Sequence, residues 1–330
     1  MESITKNRQS PEVLRAMARR AFGADRAPVG EGWAEEFGHG WFNVVYVLRL
    51  RDGERVALKI APPPGVEVMT YERGMMRTEV HALRLIAERT EVPVPAVLFH
   101  DASREVCDAE FFFMEYVDAD NLGIVGERMP AAEREAYDEA LGAANRRLNG
   151  IPGGHFGPLL GGTPGATWRQ VFCRMVEDVL DDGRRRGVDI GWDYGLVSRL
   201  VAEHADCLDE VTEPVLVEWD LWDSNVLIRD GAIVSIIDHE RAFYGDPLME
   251  AGFAATELPD LPPPGAFLRG YGAPARPFTE AERMRRRLYN VHLILIMVIE
   301  TVYRGHTDPA QYDLARTRLD TLMAGFGHHR

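Results

Sequence analysis

Residues 11–22, PEVLRAMARRAF, carry their apolar side chains at helical spacing and predict an amphipathic helix. From 35 to 60 the pattern shortens to strands, with runs at 43–50 and 55–60 flanking the turn Arg51-Asp52-Gly53. A helical stretch over 67–89 follows, with Met76, Glu79, Leu83 and Ile86 on one stripe, until Pro93 and Pro95 break it. Segments 97–99 and 110–116 read as further strands. Beyond residues 118–121 the pattern is helical, apart from one hairpin at 226–237, and the apolar run 291–299 reads as a buried helix. A strand-rich front and a helix-rich rear, joined near 115–121, predict an α+β protein of two lobes, 1–117 and 118–330. The Pro-rich stretch 258–265 reads as a loop, and no internal repeat is visible.

The hairpin carries the most informative chemistry. Asp230-Gly231 separates the apolar runs 226–228 and 233–237, a strong two-residue turn signal. Such a turn pairs Arg229 with Ala232 and, counting outward, Asn225 with Ile236. Side-chain alternation then puts Asp238 on the same face as Asn225. A carboxamide and a carboxylate oxygen converging there suit Mg²⁺, which keeps further positions for water and phosphates. Asp220 precedes them on the segment entering the hairpin and is the natural general base. The order Asp220, Asn225, Asp238 matches the Asp-x-x-x-x-Asn pattern of protein kinases with its later Asp.

The front half supplies phosphate-binding candidates. Gly38 and Gly40, in the FGHGWFN run that enters the first strand at Asn43, would let backbone N–H groups approach phosphate oxygens. Lys59 lies within the apolar strand VALKI and calls for a partner, unless it sits at a solvated edge. Glu79, on the core-facing stripe of the following helix, is the expected partner, with Glu72 as the substitute.

Composition narrows the class. Hydrophobic content of 46% and charged content of 27% are ordinary for a globular chain. The net charge of −15 argues against a nucleic-acid surface and fits a cationic small-molecule partner, or simply an acidic surface. Cys107, Cys173 and Cys207 match neither metal spacing nor a disulfide framework, no run is long enough to span a bilayer, and the N-terminus lacks a secretory core. A cytoplasmic protein is expected. Oligomeric state is left open.

In order, GHGWFNVVY, VALK, TEVHALRLI, FFFMEYVD, WDLWDSNVLI and IIDHERAFYGDPLME resemble the aminoglycoside phosphotransferase and choline-kinase-like family, relatives of protein kinases, over residues 35–255. The resemblance implies a bilobal protein-kinase-like fold, with a small antiparallel sheet in the N-lobe and a larger, mostly helical C-lobe. It further implies ATP or GTP with Mg²⁺ and phosphoryl transfer to a small-molecule hydroxyl. Residues 115–117 become the hinge, whose backbone at Glu115 and Val117 meets the nucleotide base, and Asp246 becomes structural. One departure stands out: Glu218 occupies the place of the family's catalytic-loop histidine. Trp219 and Trp222 are read as packing residues. The acceptor is open between an aminoglycoside-like antibiotic, for which Asp178, Asp181, Asp182, Glu257 and Asp260 offer negative charge, and an endogenous alcohol or amino alcohol. A catalytically impaired nucleotide-binding protein is the remaining alternative.

Overall fold

The computed structural model describes residues 3–38, 42–258, 260–261, 263–274 and 276–329. Gly40 therefore lies outside the described residues. Helix α1 (Pro11–Phe22) is capped by Ser10, whose hydroxyl accepts from the Val13 N–H, and has proline in its first turn, where a missing donor costs nothing. Strands β1 (Ala34–Phe37), β2 (Val44–Arg49) and β3 (Arg55–Ile60) form an antiparallel meander. Gly53, at φ 90°, makes the β2–β3 turn. With β4 (Val97–Asp101) and β5 (Phe111–Glu115) they complete a sheet of order β1-β2-β3-β5-β4.

Helix α2 (Met75–Arg89) packs Met76, Val80 and Leu83 against Phe112 of the sheet. It begins later than the expected start at 67. Gly74 is left-handed at φ 80°, and before it only Thr70–Glu72 form a single 3₁₀ turn. Glu72 is therefore off the helix and cannot replace Glu79; it pairs with Arg304 instead.

The rear half is mostly helical, with short strands that periodicity did not announce. After β6 (Asp120–Asn121) and α3 (Leu122–Val125) comes α4 (Ala131–Leu148). Next are β7 (Gly157–Pro158), α5 (Trp168–Arg186), α6 (Tyr194–His204) and β8 (Val215–Val217). The hairpin is β9 (Val226–Arg229) and β10 (Ala232–Ile236), followed by β11 (Phe243–Gly245), α7 (Gly265–Tyr271), α8 (Glu280–Arg304) and α9 (Ala310–Gly325). The short strands form two three-stranded sheets, of order β10-β9-β6 and β7-β11-β8. The main core joins α5 and α8 through Phe172, Leu180, Leu295 and Ile299. Both helices start with a Thr capping box, Thr167 with Gln170 and Thr279 with Glu282. No described helix is long and apolar enough to cross a membrane.

Residues 3–9 run between the two halves. The Ile4 N–H reaches the Arg304 carbonyl at the end of α8, and the Thr5 hydroxyl donates to the Phe42 carbonyl at 2.8 Å. Arg304 itself lies over the Phe42 ring, 4.7 Å from its centroid. The front sheet is thus tied to the last long helix but one.

Candidate active site

Lys59 is buried on β3, and its ammonium meets Glu79 of α2 at 2.7 Å, Asp238 at 2.5 Å and Glu240 at 2.9 Å. An ammonium has three N–H donors, and here each faces a carboxylate. Burial alone would lower the Lys59 pKa, but Asp238, Glu240 and Glu79 together hold it well above its usual value. Burial raises Glu79, and burial with Asp238 beside it pushes Glu240 to about 8. Asp238 goes the other way: burial would raise it, but Lys59, with Arg241 and His239, lowers it overall. Ligand oxygens of Glu79, Asp238 and Glu240 lie within 4.8 Å of one another, yet the lysine sits on all three, so this is a cation-centred cluster and not by itself a metal centre.

The hairpin register differs by one residue from the sequence expectation. Arg229 pairs with Ala232 and Ile228 with Ile233, but a bulge between Ile233 and Ser235 makes Ile236 the partner of Val226. Asn225 consequently meets Ile237, whose N–H donates to its carbonyl at 2.9 Å, rather than Ile236. Asp238 follows in the left-handed region at φ 69° and turns its carboxylate toward Lys59, so a backbone reversal and not strand alternation aims it.

Asn225 and Asp220 are joined directly. The Asn225 amide Nδ2 donates to the Asp220 carbonyl at 2.8 Å, leaving Oδ1 uncommitted among the described residues. The Asp220 carboxylate lies 3.5 Å from Arg241, which also reaches Glu300 at 3.6 Å and stacks against Tyr71 and Trp219. Burial raises the Asp220 pKa; Arg241 opposes this, while Asp238 and Glu300 reinforce it. With Asn225 Oδ1 open and the Asp238 side chain 37% exposed, this end of the hairpin presents hard oxygen donors, the kind Mg²⁺ accepts.

Glu250 fixes the segment before Asp220. Its carboxylate accepts the backbone N–H groups of Glu218 and Trp219, each at 2.9 Å, and the Asn149 amide at 2.7 Å. Burial pushes its pKa up to about 7. Trp219, at φ 61°, packs into the core beside Phe243 and His292. Glu218 is itself buried, with one carboxylate oxygen 2.7 Å from Nδ1 of His239.

The other candidates are placed as follows. Gly38 follows β1, and among the described residues nothing lies within 4 Å of where a Cβ would project. Asn43 is buried and donates to Glu240 at 2.5 Å. Glu115 ends β5 with its N–H committed to the Ala96 carbonyl, and Val117 follows two residues on. Asp246 is buried, accepting from Leu248 N–H and the Tyr289 hydroxyl and pairing with Arg285 at 2.9 Å. The acids expected to attract a cation are matched by arginines: Asp178 by Arg174, Asp181 by Arg184, Glu257 by Arg286 and Arg287, and Asp260 by Arg318. Asp182 is not on the surface at all; it is buried, bonded to Thr70 and Arg185.

Sequence reasoning passed over Glu240, Arg241, His239 and Glu250. Glu240 carried a usable signal, an acid two residues beyond Asp238 in the same turn. Glu250 carried none, because only the fold brings it beneath residue 218.

Several solved structures share this architecture. A protein assigned as a fructosamine-3-kinase from Thermobifida fusca superposes with a TM-score of 0.65 at 23% identity, covering 94% of this chain and 98% of that one. Aminoglycoside phosphotransferase APH(4)-Ia, solved in a ternary complex with AMP-PNP and hygromycin B, gives 0.64 at 18% identity, covering 96% and 99%. Macrolide 2'-phosphotransferase MphH from Brachybacterium faecium gives 0.59 at 16% identity, covering 94% and 98%. These likenesses establish a protein-kinase-like fold. The model of the phosphotransferase enzyme family matches residues 33–286, which include the lysine cluster, the Asp220 loop and the hairpin, and the chain belongs to that family.

Proposed function

We propose that the chain is a small-molecule kinase that transfers the γ-phosphate of ATP or GTP to a hydroxyl of a small acceptor, with 1–117 as the nucleotide lobe and 118–330 as the lobe of base, metal donors and acceptor pocket. The observation that carries this reading is Lys59 joined at once to Glu79 and Asp238, a phosphate-binding cation tied to a metal donor across the cleft. Asp220 is the base: the acceptor oxygen bonds to the γ-phosphorus, the bond from that phosphorus to the β,γ-bridging oxygen breaks, and the hydroxyl proton passes to the Asp220 carboxylate. Mg²⁺, held by Asn225 and Asp238, would supply charge neutralisation on the phosphates. Lys59, freed from one of its acids, positions the α- and β-phosphates, while Gly38 and Gly40 allow close backbone approach. The backbone of Glu115 and Val117 meets the base. A cytoplasmic location fits the three free cysteines.

On the acceptor side, Arg241 beside Asp220 favours an alcohol without strong positive charge over a cationic antibiotic. The test is a screen of hydroxyl-bearing compounds, cationic antibiotics included, reading product mass for an added phosphate. Asp220→Ala is expected to keep nucleotide binding and to slow transfer at least about a hundredfold. Near-normal turnover in that variant would remove Asp220 from the mechanism, and a wild type that binds no Mg-nucleotide would end the reading.

A further inference from the structure

Glu218 and His239 lie on the two loops that the reaction must hold in register. Glu218 is two residues before Asp220, and His239 immediately follows Asp238. Each loop passes through a left-handed non-glycine residue, Trp219 at φ 61° and Asp238 at φ 69°, conformations that persist only where the surroundings enforce them. The Glu218 carboxylate faces His239 Nδ1 at 2.7 Å with both side chains buried, and the opposite ring nitrogen faces the Ile236 carbonyl at 2.9 Å. Among the described residues no other donor is found on the Glu218 oxygens, and the group that faces this carboxylate is the His239 imidazole. A buried acid in that condition is costly, and the residue facing it joins it to the metal loop.

We propose that Glu218 and His239 act as one positioning pair, a buried contact that joins the two loops and sets the spacing between the base Asp220 and the metal donor Asp238. Glu218 then does not mark a weakened site. It is one half of a brace whose other half is His239, and neither half serves without its partner. The inference rests on the phosphotransfer reading above, because the spacing matters only if both acids serve one reaction.

The test is a double-mutant cycle in the full chain with Glu218→Gln, His239→Gln, both together, and the exchanged pair Glu218→His with His239→Glu. Three quantities are read: the Mg²⁺ concentration needed for ATP binding by calorimetry, acceptor-independent ATP hydrolysis as kcat and KM, and the melting temperature. Each single variant is expected to raise the Mg²⁺ requirement about fivefold or more and to lower kcat about tenfold with a smaller change in KM. The double variant should be no worse than the poorer single one, and the exchanged pair should recover most of the loss. Losses that add in the double variant would overturn the proposal. So would variants that lower the melting temperature alone, or unfolding of both singles without recovery in the exchanged pair. A wild type that fails to bind Mg-ATP defeats the phosphotransfer reading and this inference with it, whereas a competent wild type with unaffected variants defeats the bridge only.

Discussion

Lys59 holds together a cluster that would repel itself without it. In Lys59→Met, the carboxylates of Glu79 and Glu240 stay buried and, with the partly exposed Asp238, lose their cation. Leaving buried charge unpaired costs about 3–5 kcal/mol, and that loss is expected at pH 8 by denaturant melts. An acid whose folded pKa is raised binds protons more readily folded than unfolded, so its contribution is present at low pH and lost as pH rises through the folded value. Glu79 and Glu240 are already raised with Lys59 in place. The deficit of Lys59→Met against wild type should therefore shrink between pH 8 and pH 5; a constant gap would show that the cluster does not respond to charge. Asp220 gives a second expectation. Its base form is lost as pH falls, and because burial raises its pKa, the acidic limb of kcat/KM should lie above the ordinary aspartate range of about 3.9. Arg241→Met removes the cation that opposes this rise, and should move the limb to still higher pH in a profile measured at the same Mg²⁺ concentration.

Among the elements, those with a repeating pattern were legible and those without one were not. Helix α1 and the β2–β3 meander declare themselves through spacing and a Gly turn, and Lys59 and Glu79 could be matched because each is the misfit on an apolar face. Strands β6, β7, β8 and β11 are two or three residues long, too short to show alternation. The bulge in β9–β10 shifted the hairpin register, since an extra residue in one strand leaves the alternation on either side intact. Helix packing in the rear half also hides in single residues. At Gly142 of α4 an added Cβ would sit 2.1 Å from the Phe267 carbonyl oxygen, and at Gly270 of α7 it would sit 1.7 Å from that of Glu139. These are backbone collisions that no rotamer change relieves. Gly142→Ala and Gly270→Ala are each expected to cost about 1–3 kcal/mol or more, read as a fall in melting temperature, although alanine is the better helix former.

For the molecule as a whole, the antiparallel sheet of the front part and the helical rear could be read from the change of pattern, but the ties between them could not. They depend on residues far apart in sequence: Arg304 with Glu72, Asn43 with Glu240, and Asp182 with Thr70. The partner of Glu218 was invisible for the same reason, and the family's usual histidine gave no hint that a histidine would reappear opposite it. Arg304→Met should leave the rear core intact while freeing Glu72 and Phe42. Faster release of a fluorescent nucleotide analogue in stopped flow, with little change in the Asp220-dependent step, is the expected sign. Residues 3–9 close the same seam from the other side, touching the Arg304 carbonyl and the Phe42 carbonyl. A purification handle or fusion partner joined ahead of residue 3 adds bulk next to these contacts, so preparations tagged at the opposite terminus should leave the seam between the two halves less disturbed.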